Sequence, residues 1–117
     1  MNTIQDWISE LKSSDKLIIV EGKKDFSALT NLGINNIKCI SGPLYQFIES
    51  ITVKNVIILT DLDSEGKKLY SVLKHNLQKR NVKIDNKFRE FLFANSKITH
   101  IESLKNYNQE PYWSCKI

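Results

Sequence analysis

The sequence predicts an α/β fold: a roughly four-stranded, mainly parallel sheet flanked by helices in three layers. Three observations predict it. The apolar runs Leu17-Ile18-Ile19-Val20 and Val56-Ile57-Ile58-Leu59 are short and unbroken by polar residues, the pattern of strands buried on both faces. Each run ends in a turn signal, and each is followed by helical periodicity. The resulting strand–helix alternation calls for right-handed crossovers between parallel strands.

The elements follow in chain order. Ile4, Trp7, Ile8 and Leu11 fall at helical spacing, so residues 1–15 form an amphipathic helix in which Trp7 is a packing residue. Residues 17–20 are the first strand, ended by Glu21-Gly22. A helix follows from about Lys24, with Phe26, Leu29 and Leu32 predicted inward and Gly33 as its stop. Ile37-Lys38-Cys39-Ile40 is a short second strand. Ser41-Gly42-Pro43 then starts a helix with Leu44, Phe47, Ile48 and Ile51 on one face. Residues 56–60 are the third strand. The longest helix spans about 64–80, with Leu69, Val72, Leu73 and Leu77 predicted inward and lysines outward. A fourth strand falls either at 82–84 or at 91–93; periodicity does not choose between them. Residues 98–117 fit helix, strand or a docked tail.

Bulk properties narrow the function. A chain of 117 residues with 41% hydrophobic and 26% charged content is one ordinary globular domain. No apolar run approaches the ~20 residues of a membrane span, and the first residues lack a signal peptide's basic start and apolar stretch. These features point to a cytoplasmic protein without membrane association. Cys39 and Cys115 read as free thiols, and the absence of a CxxC argues against zinc. The formal charge is only +4, but eight basic residues and one acid fall between positions 66 and 89. Such a patch suits a polyanion, and it equally suits a solvated helix face.

The chemistry is concentrated at the two strand exits. Val20-Glu21-Gly22-Lys23-Lys24-Asp25 leaves the first strand, and Thr60-Asp61-Leu62-Asp63-Ser64-Glu65-Gly66-Lys67 leaves the third. Open parallel sheets bind ligands outside the carboxyl ends of their strands. If the two strands are neighbours, Glu21 faces Asp61 and Asp63 across a crevice. Two carboxylates two residues apart in extended backbone point the same way and can share a hard cation, Mg²⁺ or Mn²⁺, with Glu65 a third candidate ligand. Gly22 and Gly66 would let the backbone approach a phosphate, and the following helix N-terminus adds partial positive charge. Plain structural roles fit too: Asp63 or Ser64 as the cap of the long helix, Glu65 in its first turn, and Glu21-Gly22 as an ordinary turn.

These two motifs, in this order and spacing, resemble the Toprim domain, a Rossmann-like three-layer fold. It is shared by topoisomerases, bacterial-type primases, OLD-family nucleases and the ribonuclease that matures 5S ribosomal RNA. The T-D-x-D-x-E-G run is similar to that of type IA topoisomerases, and the E-G-x-x-D start to that of primases and the maturation ribonuclease. The resemblance covers residues 16–93 and leaves 94–117 as a tail packed on the same domain. It implies that Glu21 is the general acid or base of phosphodiester chemistry. It also implies that Asp61 and Asp63 hold magnesium, supported by Glu65. Lys23 matches a basic position that contacts phosphate, while Asp25 matches the acid after the glycine and supports the first helix.

The partner domains of the larger members have no counterpart here, so the resemblance implies a stand-alone Toprim domain. Gly66-Lys67 lacks the rest of a Walker motif. Tyr45, Tyr70, Tyr107 and Tyr112 lie in ordinary contexts.

The leading expectation is therefore a magnesium-dependent phosphodiester enzyme, most simply a small nuclease acting on RNA, as in RNA processing, or on DNA. Gly22, Lys23, Gly66, Lys67, Lys68 and Lys74 would contact the nucleic acid. The alternative is a catalytically silent module that binds nucleic acid or a protein complex partner. A third reading, a phospho-receiver, expects five strands and a paired acid after the first. His75 reads as exposed on the basic helix, His100 and Glu102 as tail residues able to approach the site, and Tyr112-Trp113 as a cover for the sheet or a partner.

Overall fold

The computed structural model describes residues 1–109, with side chains as far as residue 106. Its sheet has four strands, all parallel, in the order β2-β1-β3-β4. These are β1 (Leu17–Val20), β2 (Ile37–Cys39), β3 (Asn55–Leu59) and β4 (Lys83–Ile84). The helices are α1 (Ile4–Ser13), α2 (Lys23–Asn31), α3 (Leu44–Glu49), α4 (Ser64–Lys79) and α5 (Lys87–Asn95). A 3₁₀ helix, Ile101–Gln109, closes the described chain. The open choice for the fourth strand resolves to the neighbourhood of Lys83, and Phe91 to Phe93 are helical. Tyr112, Trp113 and Cys115 lie outside the described residues.

Why the two central strands read as unbroken apolar runs is plain from the layers. Alternate residues point to opposite faces of a strand, and both faces here are covered. Ile18, Val20, Ile57 and Leu59 enter one core with Trp7 and Leu11 of α1, Leu29 of α2, and Phe88 and Leu92 of α5. Ile101 and Leu104 of the 3₁₀ helix join the same core. Ile19, Val56 and Ile58 enter the other core with Phe47 and Ile48 of α3 and Leu73 and Leu77 of α4. Trp7 is fully buried, sits edge-on to Phe88 at 6.1 Å, and donates its indole N–H to the Phe88 carbonyl at 2.8 Å. Truncating such a side chain costs about 3–5 kcal/mol. Among the described residues no helix is long and apolar enough to cross a membrane.

Two predicted inward residues face out. Phe26 is 41% exposed because α2 starts at Lys23 and turns Asp25, Ala28, Leu29 and Leu32 inward. An acid therefore occupies the inward position that the apolar pattern assigned to the phenylalanine. Val72 is 43% exposed because α4 buries the stripe Gly66, Leu73 and Leu77.

Candidate metal and phosphodiester site

β1 and β3 are direct neighbours, with Val20 in register with Leu59. Their exits therefore lie side by side, and Glu21 meets Asp61: its Oε2 accepts the Asp61 backbone N–H at 2.7 Å. One oxygen of Glu21 is spent on that latch, which fixes where its carboxylate stands.

The β3 exit is held from three directions. Thr60 is fully buried and donates its hydroxyl to the Gly66 carbonyl at 2.8 Å, tying the strand end to the first turn of α4. Gly66 is required by packing rather than by any unusual backbone angle. A Cβ there would lie 2.0 Å from the Asp61 carbonyl oxygen, so the close approach this glycine permits is to the protein's own backbone. Arg89 reaches across from α5, donating to the carbonyls of Thr60 at 2.5 Å and Asp61 at 2.9 Å. Its guanidinium lies 4.5 Å over the Tyr70 ring, and burial lowers its pKa from the ordinary value.

Asp63 caps α4 with one oxygen, its Oδ1 accepting the Gly66 N–H at 2.8 Å. Its Oδ2 stands 3.4 Å from His100 Nε2. The predicted cap and the predicted ligand are thus two oxygens of one carboxylate. His100 arrives because the tail is stapled on either side of it. The Leu62 N–H donates to the Thr99 carbonyl at 2.8 Å, and the Ile101 N–H donates to Asp61 Oδ1 at 2.9 Å. Thr99 Oγ1 lies 3.0 Å from His100 Nδ1, so a proton on Nδ1 leaves Nε2 free as a ligand.

Asp61, Asp63 and His100 each offer one atom, all within 4.8 Å of one another. Octahedral coordination at roughly 2.1 Å places ligand atoms about 3 to 4 Å apart, so a small closure would seat a divalent cation. Two carboxylates suit magnesium or manganese; the imidazole shifts the preference toward manganese and later transition metals. A second observation speaks for fit. Asp25 is 93% buried and accepts the Gly22 N–H at 3.2 Å. Its pKa is raised to about 6, first by burial and then by the charges of Asp61, Glu21 and Glu102. The charges of Asp61 and Glu21 thus reach Asp25, and a cation bound between the strand exits would ease that repulsion.

Other expected residues lie elsewhere. Glu65 faces solvent and pairs with Lys68 at 3.7 Å, outside the cluster. Gly22 has open space around it and Lys23 is exposed at the start of α2. Lys67 lies 4.9 Å over the Phe93 ring and Lys74 lies 5.8 Å over the Tyr70 ring, both on the α4 face toward α5. His75 is exposed on α4. Arg89 and Thr60 were not singled out by pattern: the arginine reads as one more charge in a basic stretch. Its apolar neighbours Phe88 and Leu92, at helical spacing around it, were the available signal that it belongs on a buried face.

Comparisons with known proteins agree with this fold. A protein from Aquifex aeolicus of known structure superposes with a TM-score of 0.81 at 33% identity, covering 88% of this chain and 99% of its own. The UPF0292 protein MJ1624 of Methanocaldococcus jannaschii is 38% identical over 109 residues, covering 86% of this chain and 85% of the relative. The UPF0292 protein PYRAB04740 of Pyrococcus abyssi is 36% identical, covering 85% of this chain and 79% of the relative. The family model of the Toprim domain matches residues 16–94, which contain both strand exits. At the level of that family, the chemistry is metal-binding and related to nucleic acid. With the motifs, the all-parallel sheet and the model match in agreement, the chain belongs to the Toprim domain family.

Proposed function

We propose that this protein is a small divalent-metal-dependent nuclease, breaking a phosphodiester at the carboxyl edge of its sheet. The observation that carries the reading is the placement of Glu21 against Asp61, beside the Asp61, Asp63 and His100 cluster. Asp61 and Asp63 would hold Mg²⁺ or Mn²⁺, with His100 completing the set. When bound, the cation neutralises charge on the transferring phosphate and orients the attacking oxygen.

The chain's own residues supply the rest. Glu21, pinned through Oε2, keeps its other oxygen for moving a proton to or from the reacting oxygen, a role worth about 10²–10⁴ in rate. Arg89 and Thr60 hold the β3 exit so that Asp61 cannot drift from Glu21. Lys67, Lys68 and Lys74 on α4, and Lys23 on α2, supply positive charge for backbone phosphates without reading sequence. Glu65, pointing to solvent, has no direct role in this scheme.

The test is cleavage of structured RNA and of single- and double-stranded DNA with magnesium, manganese or EDTA. Metal-dependent product from wild type, lost in Glu21→Gln, is the expected result. Equal product from both proteins sinks the nuclease reading. Binding of nucleic acid with no turnover in any metal would favour the silent module, in which Asp61→Asn leaves binding intact.

A further inference from the structure

Between α4 and α5, and reaching Leu62 of the β3 exit, lies a cavity of about 480 Å³. Its walls include Leu62, Lys67, Tyr70, Lys74, Arg89 and Phe93. We propose that this groove is a single-strand binding site, in which an unpaired nucleobase stacks on Phe93 while Lys67 and Lys74 hold the flanking phosphates.

Phe93 carries the inference. It follows the fully buried Leu92 on α5, yet its own ring is 61% exposed and takes no part in either core. One cation, Lys67 Nζ, lies over it at 4.9 Å. A lysine resting on an exposed ring is held weakly, by about 0.5–1 kcal/mol, so a phosphate can draw it aside and free the ring face. Tyr70 is less available, because Arg89 lies 4.5 Å over its ring and its hydroxyl donates to the Asn86 side chain. Lys67 and Lys74 are two turns apart on α4, about 10 Å along its axis, and flank the groove.

Charge selects the occupant. Lys67, Lys74 and Arg89 face one acid, Glu90, so the walls are net positive around an aromatic floor, the combination that grips single strands. A duplex hides its bases from such a ring; a splayed strand offers them. Leu62, one of the groove's walls, is the chain neighbour of both Asp61 and Asp63, so the groove borders the segment that carries the cluster. The inference rests on the phosphodiester reading for its purpose but not for its measurement.

Fluorescence anisotropy in EDTA, with short labelled oligouridine and oligothymidine and a duplex of matched length, tests it without cleavage. Phe93→Leu keeps an apolar side chain and should leave thermal stability unchanged. It is expected to weaken single-strand binding about tenfold while leaving duplex binding unaltered. Lys74→Ala should weaken both and lower the salt dependence by about one counterion. The ratio of the oligouridine and oligothymidine affinities tells whether RNA or DNA is preferred. Wild-type affinity in Phe93→Leu, or an equal loss on the duplex, overturns the stacking site. A protein that never cleaves but still shows the Phe93-dependent preference would remove the nuclease reading and leave the groove standing.

Discussion

The Glu21 carboxylate accepts the backbone N–H of Asp61 at 2.7 Å, latching together two strand exits that are forty residues apart in the chain. The bond sets the Glu21 carboxylate against the Asp61 backbone and leaves both aspartate side chains free of it, the arrangement the proposed division between proton handling and metal holding requires. The surrounding supports, Gly66, Arg89, Asp25 and His100, each yield a measurable expectation.

Gly66→Ala should be strongly destabilising. The new methyl would sit 2.0 Å from the Asp61 carbonyl oxygen and 2.8 Å from its Cα, both backbone atoms that cannot swing away. Relief requires moving either the β3 exit or the start of α4. The expected loss is about 3 kcal/mol or more, read by urea denaturation, with metal affinity falling alongside. Unchanged stability would mean that the two segments are not packed as described.

Arg89→Met should cost about 2–4 kcal/mol, because it leaves the buried Thr60 carbonyl and the Asp61 carbonyl without their charged donor. Arg89→Lys should restore only part of this, since one ammonium cannot reproduce the fork that spans both carbonyls. Denaturation of the two variants side by side checks the order.

The pH dependence follows from Asp25. Its carboxyl titrates near 6 in the folded protein, chiefly because it is buried, against an ordinary value near 3.8. Between these values the folded state binds a proton that the unfolded state has released, so stability falls as pH rises from about 4 to about 6. The sum at pH 7 is on the order of 2–3 kcal/mol. Asp25→Asn keeps an acceptor for the Gly22 N–H and removes the ionisation. In EDTA it should be several degrees more heat-stable than wild type at pH 7 and no more stable at pH 4. The same Tm difference at both pH values would contradict the assignment.

His100→Ala should weaken Mn²⁺ binding about tenfold, as judged by calorimetry. Pulsed electron resonance of the bound ion offers a direct readout: nitrogen coupling in wild type, none in the variant. Nitrogen coupling that survives His100→Ala would exclude the histidine from the coordination sphere.

Much of this architecture was legible because its signals are local. Two apolar runs ending in acids marked the central strands, and the strand–helix alternation made them parallel; that they are neighbours comes from the sheet order, which sets β1 directly against β3. Glu21 facing Asp61 followed from that. Phe26 and Val72 face out although their hydrophobicity suits an inward position: with Gly22 capping α2 and Asp63 capping α4, the inward stripes are Asp25, Ala28 and Leu29 on α2 and Gly66, Leu73 and Leu77 on α4. Arg89 was invisible as a support because its partners are carbonyls, which carry no sequence identity. His100, which the tail sequence offered only as able to approach, is held there by two backbone N–H donors, Leu62 to the Thr99 carbonyl and Ile101 to Asp61 Oδ1. Glu65 sits in the motif by spacing, but its place in the first turn of α4 directs it to solvent, toward Lys68.

The division of labour between Glu21 and the aspartates is tested most directly by measuring Mn²⁺ binding and single-turnover cleavage on the same preparations of wild type, Glu21→Gln and Asp61→Asn. Glu21→Gln should bind the ion as wild type does while cutting at least about a hundredfold more slowly. Asp61→Asn should lose both. Undiminished cleavage by Glu21→Gln, or undiminished metal binding by Asp61→Asn, would contradict a site divided between a proton-handling glutamate and a metal-holding aspartate.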